Sequence, residues 1–519
     1  VKRAETFGEL RTSGYRPRSI KNELRENLIA ALSARENPFP GIFGYERTVL
    51  PALHNAILAR HDFILLGLRG QAKTRLLRAL VNLLDEYLPA VAGSELNESP
   101  FEPISKYGRR ILAEKGDDTP IQWILRSERY REKLATPDVT IADLIGDIDP
   151  IKAATQKRTY SDEEVIHYGI VPRTNRGIFA INELPDLQPR IQVGLLNILE
   201  ERDLQIRGFP VRIPLDILMV FSANPEDYTN RGNIITPLKD RISSQILTHY
   251  PDDVATARAI TEQEAWMQRS SPVQVEIPGY FRDLVEKIAF AARESEFVDQ
   301  SSGVSARMPI SAIEILTSNL ERRAILNGEK SAFPRLCDLP ACLPAITGKV
   351  EMVYEGEQQG AEVIAKKLIA VPVEELFRQK FPTVDAGRRS ERPRPSEEES
   401  GEETAAARRS RFNSEEPEKT NPVYREILEW FSSGNSLLLA DDAPFAVHLA
   451  SLESVPGLRR VATEFFKPAS REEAALAMEL VLEGLTHHLK IAREDLDSKV
   501  SYKEMLKFNL VKSRTSPTN

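Results

Sequence analysis

The chain has 519 residues, 41% of them hydrophobic and 28% charged, with a net charge of −8. That length suits two to four domains, and the acidic balance argues against wholesale coating of nucleic acid. No run approaches the roughly 20 apolar residues of a membrane helix, and the opening VKRAETFGEL lacks an apolar signal core, so a cytoplasmic protein without membrane insertion is expected.

Residues 1–36 form an N-terminal helical segment. Within it, RSIKNELRENLIAALSA predicts an amphipathic helix with Leu24, Leu28, Ala31 and Leu32 on one face. The turn-rich NPFPGIFGYE follows, then a helix over TVLPALHNAILARHD. DFILLGL reads as a buried strand, and GLRGQAKTRLLRALVNLL as a glycine loop opening into a helix. Residues from about 90 to 165 are polar and irregular and read as insertions, with one helix predicted near Trp123 to Lys133.

From Gly177 the order is strand (GIFAIN), helix (PRIQVGLLNILEER), hairpin (203–214) and strand (LDILMVFSANP). Strands alternating with helices predict a parallel sheet covered by helices over 37–252. Residues 253–384 carry four helical patterns and predict an all-helical lid. The stretch 385–420 is charged, poor in apolar residues, and predicts a disordered linker. Apolar residues return at helical spacing over 421–519, predicting a small helical C-terminal domain.

The two cysteines, Cys337 and Cys342, build no disulfide framework and lack zinc-knuckle spacing. They read as reduced core thiols. His487 and His488 are adjacent on a predicted helix, diverge, and make a poor metal pair.

The chemistry centres on Gly67, Leu68, Arg69, Gly70, Gln71, Ala72, Lys73, Thr74 and the following Arg75. A strand, a glycine loop and a helix start in that order suit a phosphate. Backbone N–H groups converge on its oxygens and the helix dipole favours its charge. Lys73 is placed to reach the β- and γ-phosphates and Thr74 to offer a hydroxyl to Mg²⁺. Ala72 stands where the strict pattern has its second glycine, and is tolerable if the backbone stays right-handed.

GIFAINELPD delivers Asn182 and Glu183 to a strand end, where an ATPase wants one carboxylate for the metal's water shell and another for the attacking water. Glu183 suits the second role; Asn182 contributes no charge to the first. Asn224 ends the next strand, and taken singly is explained by an Asn-Pro turn. Arg241 in PLKDRI suits stabilisation of phosphate charge in a neighbouring subunit, or else a surface ion pair with Asp240 or Glu226. Arg307 stands at a predicted helix start.

In this order, IFGYE, GLRGQAKT, LIGDIDP, TNRGIFAINEL, LLNILEERDLQI, SANPEDY, LKDRI and SARMP resemble the MoxR and magnesium-chelatase ATPase-subunit branch of the AAA+ proteins. The resemblance covers residues 20–380 and is specific over 40–330. It implies an α/β P-loop NTPase core followed by a helical lid, with ATP and Mg²⁺ as cofactors. It places Gly67, Gly70, Lys73 and Thr74 in the phosphate loop, Asn182 at the metal position and Glu183 at the catalytic base. Asn224 falls at the first sensor, Arg241 at the arginine finger and Arg307 at the second sensor. Phe43, Gly44 and Tyr45 fall at the adenine pocket, and the hairpin at 203–214 matches the pre-sensor insertion.

The resemblance also implies a homo-oligomer, a hexameric ring, acting with a protein bearing a von Willebrand factor A-type domain. Three functions follow as expectations: remodelling of, or metal loading into, a partner protein; the motor of a magnesium chelatase-type complex; or a nucleotide-gated scaffold with little turnover, for which Asn182 is the argument.

Overall fold

A computed structural model describes residues 3–149, 163–205, 212–225, 233–385, 420–496 and 498–505. They fall into two compact units, Val1–Thr256 with Ser301–Ser305, and Ala257–Gln300 with Ala306–Asn519. Among the described residues no helix is long and apolar enough to cross a membrane.

The first unit is built on a five-stranded parallel sheet. Its strands are β1 (Phe63–Leu66), β2 (Tyr130–Leu134), β3 (Gly177–Asn182), β4 (Ile217–Ala223) and β5 (Ser244–Leu247), in the spatial order β5-β1-β4-β3-β2. All residues of β3 and β4 are buried, as strands covered on both faces must be. Alternation divides the side chains between two cores. Ile64, Phe179, Ile181, Met219 and Phe221 enter one, and Phe63, Leu65, Ile178, Ala180, Leu218 and Val220 enter the other. This is the parallel sheet covered by helices that the alternation of strands and helices predicts.

Helices α1 (Ile20–Ala34), α2 (Val49–Leu58), α3 (Lys73–Ala79) and α4 (Pro189–Glu200) agree with the sequence pattern. Ser19 caps α1, its hydroxyl accepting from the Asn22 N–H. A buried ion pair anchors α1: Arg129 donates twice to Glu23, at 2.7 and 2.6 Å, and a third time to the Arg176 carbonyl at 2.9 Å. Lys21 on the same helix pairs with buried Asp62 at 2.6 Å.

The helix expected near Trp123 to Lys133 is not there. Ile121–Leu125 is a strand paired antiparallel with Tyr87–Val91, a 3-10 turn spans Arg126–Arg129, and β2 follows as the edge strand of the main sheet. The region taken for insertion thus contains a core strand. In YREKL the first four residues are all half-buried, because an edge strand covers its neighbour on one side only, and this mixed pattern passes for a helix. Of the 203–214 hairpin, Asp203–Gln205 pairs antiparallel with Arg212–Pro214, and 206–211 lie outside the described residues. So do 386–419, which hold nearly all of the expected disordered linker.

In the second unit, the stretch 253–384 contains α5 (Gly279–Glu294), α6 (Arg307–Asn327) and α7 (Ala361–Lys380), with one short parallel pairing of Gln274–Val275 and Ser331–Ala332. The C-terminal segment is not purely helical. Beside α8 (Phe445–Glu453) and α9 (Arg471–His487) it has an antiparallel sheet of β6 (Leu437–Ala440), β7 (Ile491–Leu496) and β8 (Lys499–Glu504), in the order β6-β8-β7. Ser498, at φ 57°, sits in the turn between β7 and β8. LLLA of β6 is only four residues long, and IAREDL and KVSYKE are rich in charge, so their period-2 signal is weak.

Candidate functional site

Parallel strands bring their carboxyl ends to one edge of the sheet. β1 and β4 run in register from Phe63 opposite Val220 to Leu66 opposite Ala223, and the Gly67 N–H extends the ladder to the Ala223 carbonyl at 3.2 Å. The chain then leaves the sheet as the glycine loop. A Cβ on Gly67 would lie 2.0 Å from Thr248 Oγ1 and 2.2 Å from Gln71 Oε1, so only glycine fits. Those two groups are themselves bonded at 2.7 Å.

The loop is held from outside. The Tyr45 hydroxyl lies 2.8 Å from the Gln71 carbonyl and 3.0 Å from the His249 carbonyl. The Tyr250 hydroxyl donates to the Arg69 carbonyl at 2.8 Å, and Arg69 Nε donates to the Ser302 carbonyl at 3.0 Å. Leu68 lies against Gly303, in the segment Ser301–Ser305. Burial raises the Tyr45 phenol above its ordinary pKa, so it stays a donor.

Gly70 and Ala72 both take positive φ, at 74° and 54°. The condition on which alanine is tolerable there, a right-handed backbone, is not met. The residue sits in the left-handed region as the N-cap of α3, the conformation for which the family pattern reserves glycine. The loop needs that turn so that successive N–H groups face one concavity.

Lys73 opens α3 and is buried. Its ammonium donates to the carbonyls of Gly67 and, at 3.0 Å, Leu68, and to Asn224 Oδ1 at 2.6 Å. Asn224 Nδ2 donates onward to Glu183 Oε2 at 2.9 Å. Lys73, Asn224 and Glu183, separated by up to 151 residues, are thus one hydrogen-bonded chain across the ends of β1, β4 and β3. Glu183 is itself left-handed, at φ 56° and ψ 50°, which turns it out of the strand line. Its N–H donates to Ser222 Oγ at 3.3 Å, and the Ser222 hydroxyl donates to Asn182 Oδ1 at 3.2 Å.

The sequence reading missed Glu132. It lies on β2, next to β3, and takes bonds from Arg78 of α3 (Nε at 3.0 Å, and Nη2) and from the Tyr130 hydroxyl at 3.1 Å. Arg78 first, then Tyr130 and the Asn182 side chain, hold its carboxyl below the usual range against the opposing effect of burial. A carboxylate therefore stands beside Asn182, contributed by a strand that had been read as helix. YREKL has no clean alternation, so the sequence carried no clear signal for it.

The remaining candidates are distributed as follows. Phe43 is exposed, Gly44 takes φ 78°, and Tyr45 is buried against His249, ring centroids 5.1 Å apart. Thr74 follows Lys73 in the first turn of α3, and Arg75 next to it is exposed. Arg241 ends the helix Thr236–Arg241 and pairs with Glu200 of α4 at 2.7 Å, not with Asp240; Glu226 lies outside the described residues. Arg307 is the first residue of α6, exposed, in the second unit.

Comparison with curated proteins finds magnesium-chelatase subunit ChlI of Chlorella vulgaris, 27% identical over 213 residues, covering 39% of this chain and 55% of that one. ChlI of Mesostigma viride is 27% identical over 234 residues, covering 41% and 58%. The chain is a distant homologue of ChlI, on the AAA+ branch. It spans a little over half the length of these relatives. No family model matches the chain. Among solved structures, an ATPase from Cytophaga hutchinsonii aligns at 15% identity over 70% of this chain and 97% of its own, TM-score 0.28. A complex of magnesium-chelatase subunits BchI and BchD aligns at 18% over 62% and 98%, TM-score 0.32.

Proposed function

We propose that this AAA+ chain binds Mg-ATP and hydrolyses it as a homo-oligomeric ring, coupling turnover to the remodelling of, or metal loading into, a partner protein. The observation that carries the reading is the Lys73–Asn224–Glu183 chain at the ends of three neighbouring parallel strands. A cation, an amide and a carboxylate are the three functions that phosphoryl transfer asks of a protein: charge for the phosphates, a polar sensor, and a base to orient water.

The residues present fit the cofactors. Left-handed Gly70 and Ala72 shape a concavity for phosphate oxygens. Thr74, Asn182 and Glu183 offer hard oxygen donors suited to Mg²⁺ and its waters. The nucleotide supplies the phosphoanhydride and the metal its neutralising charge. Lys73 holds the phosphates, Glu183 orients the water, and Asn224 keeps the two apart.

Asn182 weakens this site without emptying it. The lost charge acts mainly through metal-bound water, which costs about 1–2 kcal/mol, or roughly five- to thirtyfold in rate. Glu132 adds a carboxylate beside Asn182, but Arg78 balances its charge, so turnover is favoured over a silent nucleotide-gated scaffold by the Lys73–Asn224–Glu183 chain. Arg241 is read as the finger offered to the next subunit, and Arg307 as the second sensor. A chelatase-type motor with a von Willebrand A-type partner is the second reading, favoured by the homology to ChlI.

Steady-state phosphate release tests the proposal. Glu183→Gln and Lys73→Ala should each lower it at least about a hundredfold. Equal release by wild type and both variants would overturn it. Affinity capture on Glu183→Gln with ATP then identifies the partner.

A further inference from the structure

The second unit holds a cluster that the nucleotide site does not use. Cys337 lies in the 3-10 segment Leu336–Cys342, His448 on α8 and Glu479 midway along α9. One donor atom from each lies within 4.8 Å of the other two. His448 and Glu479 are each only 1% exposed. His448 Nε2 is 3.2 Å from Glu479 Oε1, yet neither ring nitrogen nor that oxygen completes a hydrogen bond.

The neighbouring carboxylates are satisfied. Glu479 Oε2 accepts the Leu336 N–H at 2.6 Å. Asp338 is held by Arg323, by Asn319 at 2.9 Å and by the Arg335 N–H at 2.8 Å. Glu483 accepts from Arg493 at 2.7 Å and from Tyr502 at 2.5 Å. Buried polar atoms without partners need a reason, and here one nitrogen of the His448 ring and one Glu479 oxygen come together with a thiol.

We propose that Cys337, His448 and Glu479 bind a Zn²⁺-class divalent cation that ties the 3-10 segment to α8 and α9. Sulfur, imidazole and carboxylate together are the donor set of zinc, and a thiolate disfavours magnesium and calcium. The 3.2 Å between Nε2 and Oε1 is close to the separation of two ligands on one tetrahedral ion at about 2.0–2.2 Å. The Cys337 proton leaves to solvent as the metal binds. A dication bound by one thiolate and one carboxylate is neutral, so buried Arg335, whose Nε and Nη1 also lack partners, faces no excess charge. Cys337 is the partly exposed member of the three. Because the ligands are far apart in sequence, the ion acts as a cross-link whose binding energy adds to folding.

The test uses the full chain, stripped with a chelator and titrated with Zn²⁺ and with Co²⁺ in excess Mg²⁺. One equivalent should bind, and Co²⁺ should develop a thiolate charge-transfer band. Lys73→Ala should retain both, which separates this site from the nucleotide site. Cys337→Ser should lose the band and weaken binding more than about a hundredfold, beyond the usual outer-shell effect. Zn²⁺ should raise the Tm of the wild type and not of Cys337→Ser. Absence of stoichiometric binding, or a Co²⁺ spectrum without the thiolate band, overturns the proposal on wild-type protein alone, whether or not the variant folds.

Discussion

Ala72→Gly should stabilise the protein. An L-residue in the left-handed region costs about 1–2 kcal/mol, from the approach of Cβ to the following carbonyl oxygen, and Ala72 sits there at φ 54° and ψ 17°. Its methyl is exposed, so glycine forfeits no packing. Against the relief stands the greater freedom of glycine in the unfolded chain, about 0.4–1 kcal/mol. The net gain is roughly 0.5–1 kcal/mol, a rise of about 1–4 °C in the Tm of a domain this size. Ala72→Val, β-branched and so more strained there, should move the Tm the other way. Calorimetry on both variants without nucleotide is the assay. A lower Tm for Ala72→Gly together with a tolerated Ala72→Val would mean that the loop is not left-handed at this position. The phosphate-binding concavity described above would then be wrong.

Glu23→Ala leaves Arg129 buried without its counter-charge and should cost about 3–5 kcal/mol in urea unfolding; a loss under about 1 kcal/mol would mean water reaches the pair. Burial pushes the Glu286 carboxyl on α5 up from 4.5 to about 7. In the folded chain it keeps its proton while the unfolded chain ionises, so stability is full below pH 4.5 and falls as pH rises towards 7, by about 3 kcal/mol. Glu286→Gln should lack that fall and gain on wild type at pH 8 relative to pH 4, measured by unfolding across that range. Asn182→Asp should lower the Mg²⁺ requirement or speed phosphate release by up to about thirtyfold at limiting Mg²⁺; no change in either would mean the family's metal role does not transfer to this position.

The sequence alone carried what is local. FILL running into GLRGQAKT is strand, loop and helix in one contiguous stretch, and its chemistry needs only neighbours. The buried runs GIFAIN and ILMVFSA are continuous because both faces of a parallel sheet are covered, so the polar residues that end them, Asn182, Glu183 and Asn224, stood out. What required pairing across the chain did not show. YREKL lies on an edge, and its mixed pattern concealed both a core strand and Glu132. The positive φ of Ala72 is imposed by the geometry of the loop, since its side chain expresses no preference for it. Arg241 finds Glu200 because the last turn of one helix meets the end of another. Cys337 was only an unremarkable thiol until folding set it beside His448 and Glu479. Ligand geometry is a property of positions in space, and residues more than a hundred positions apart carry no spacing from which it can be read.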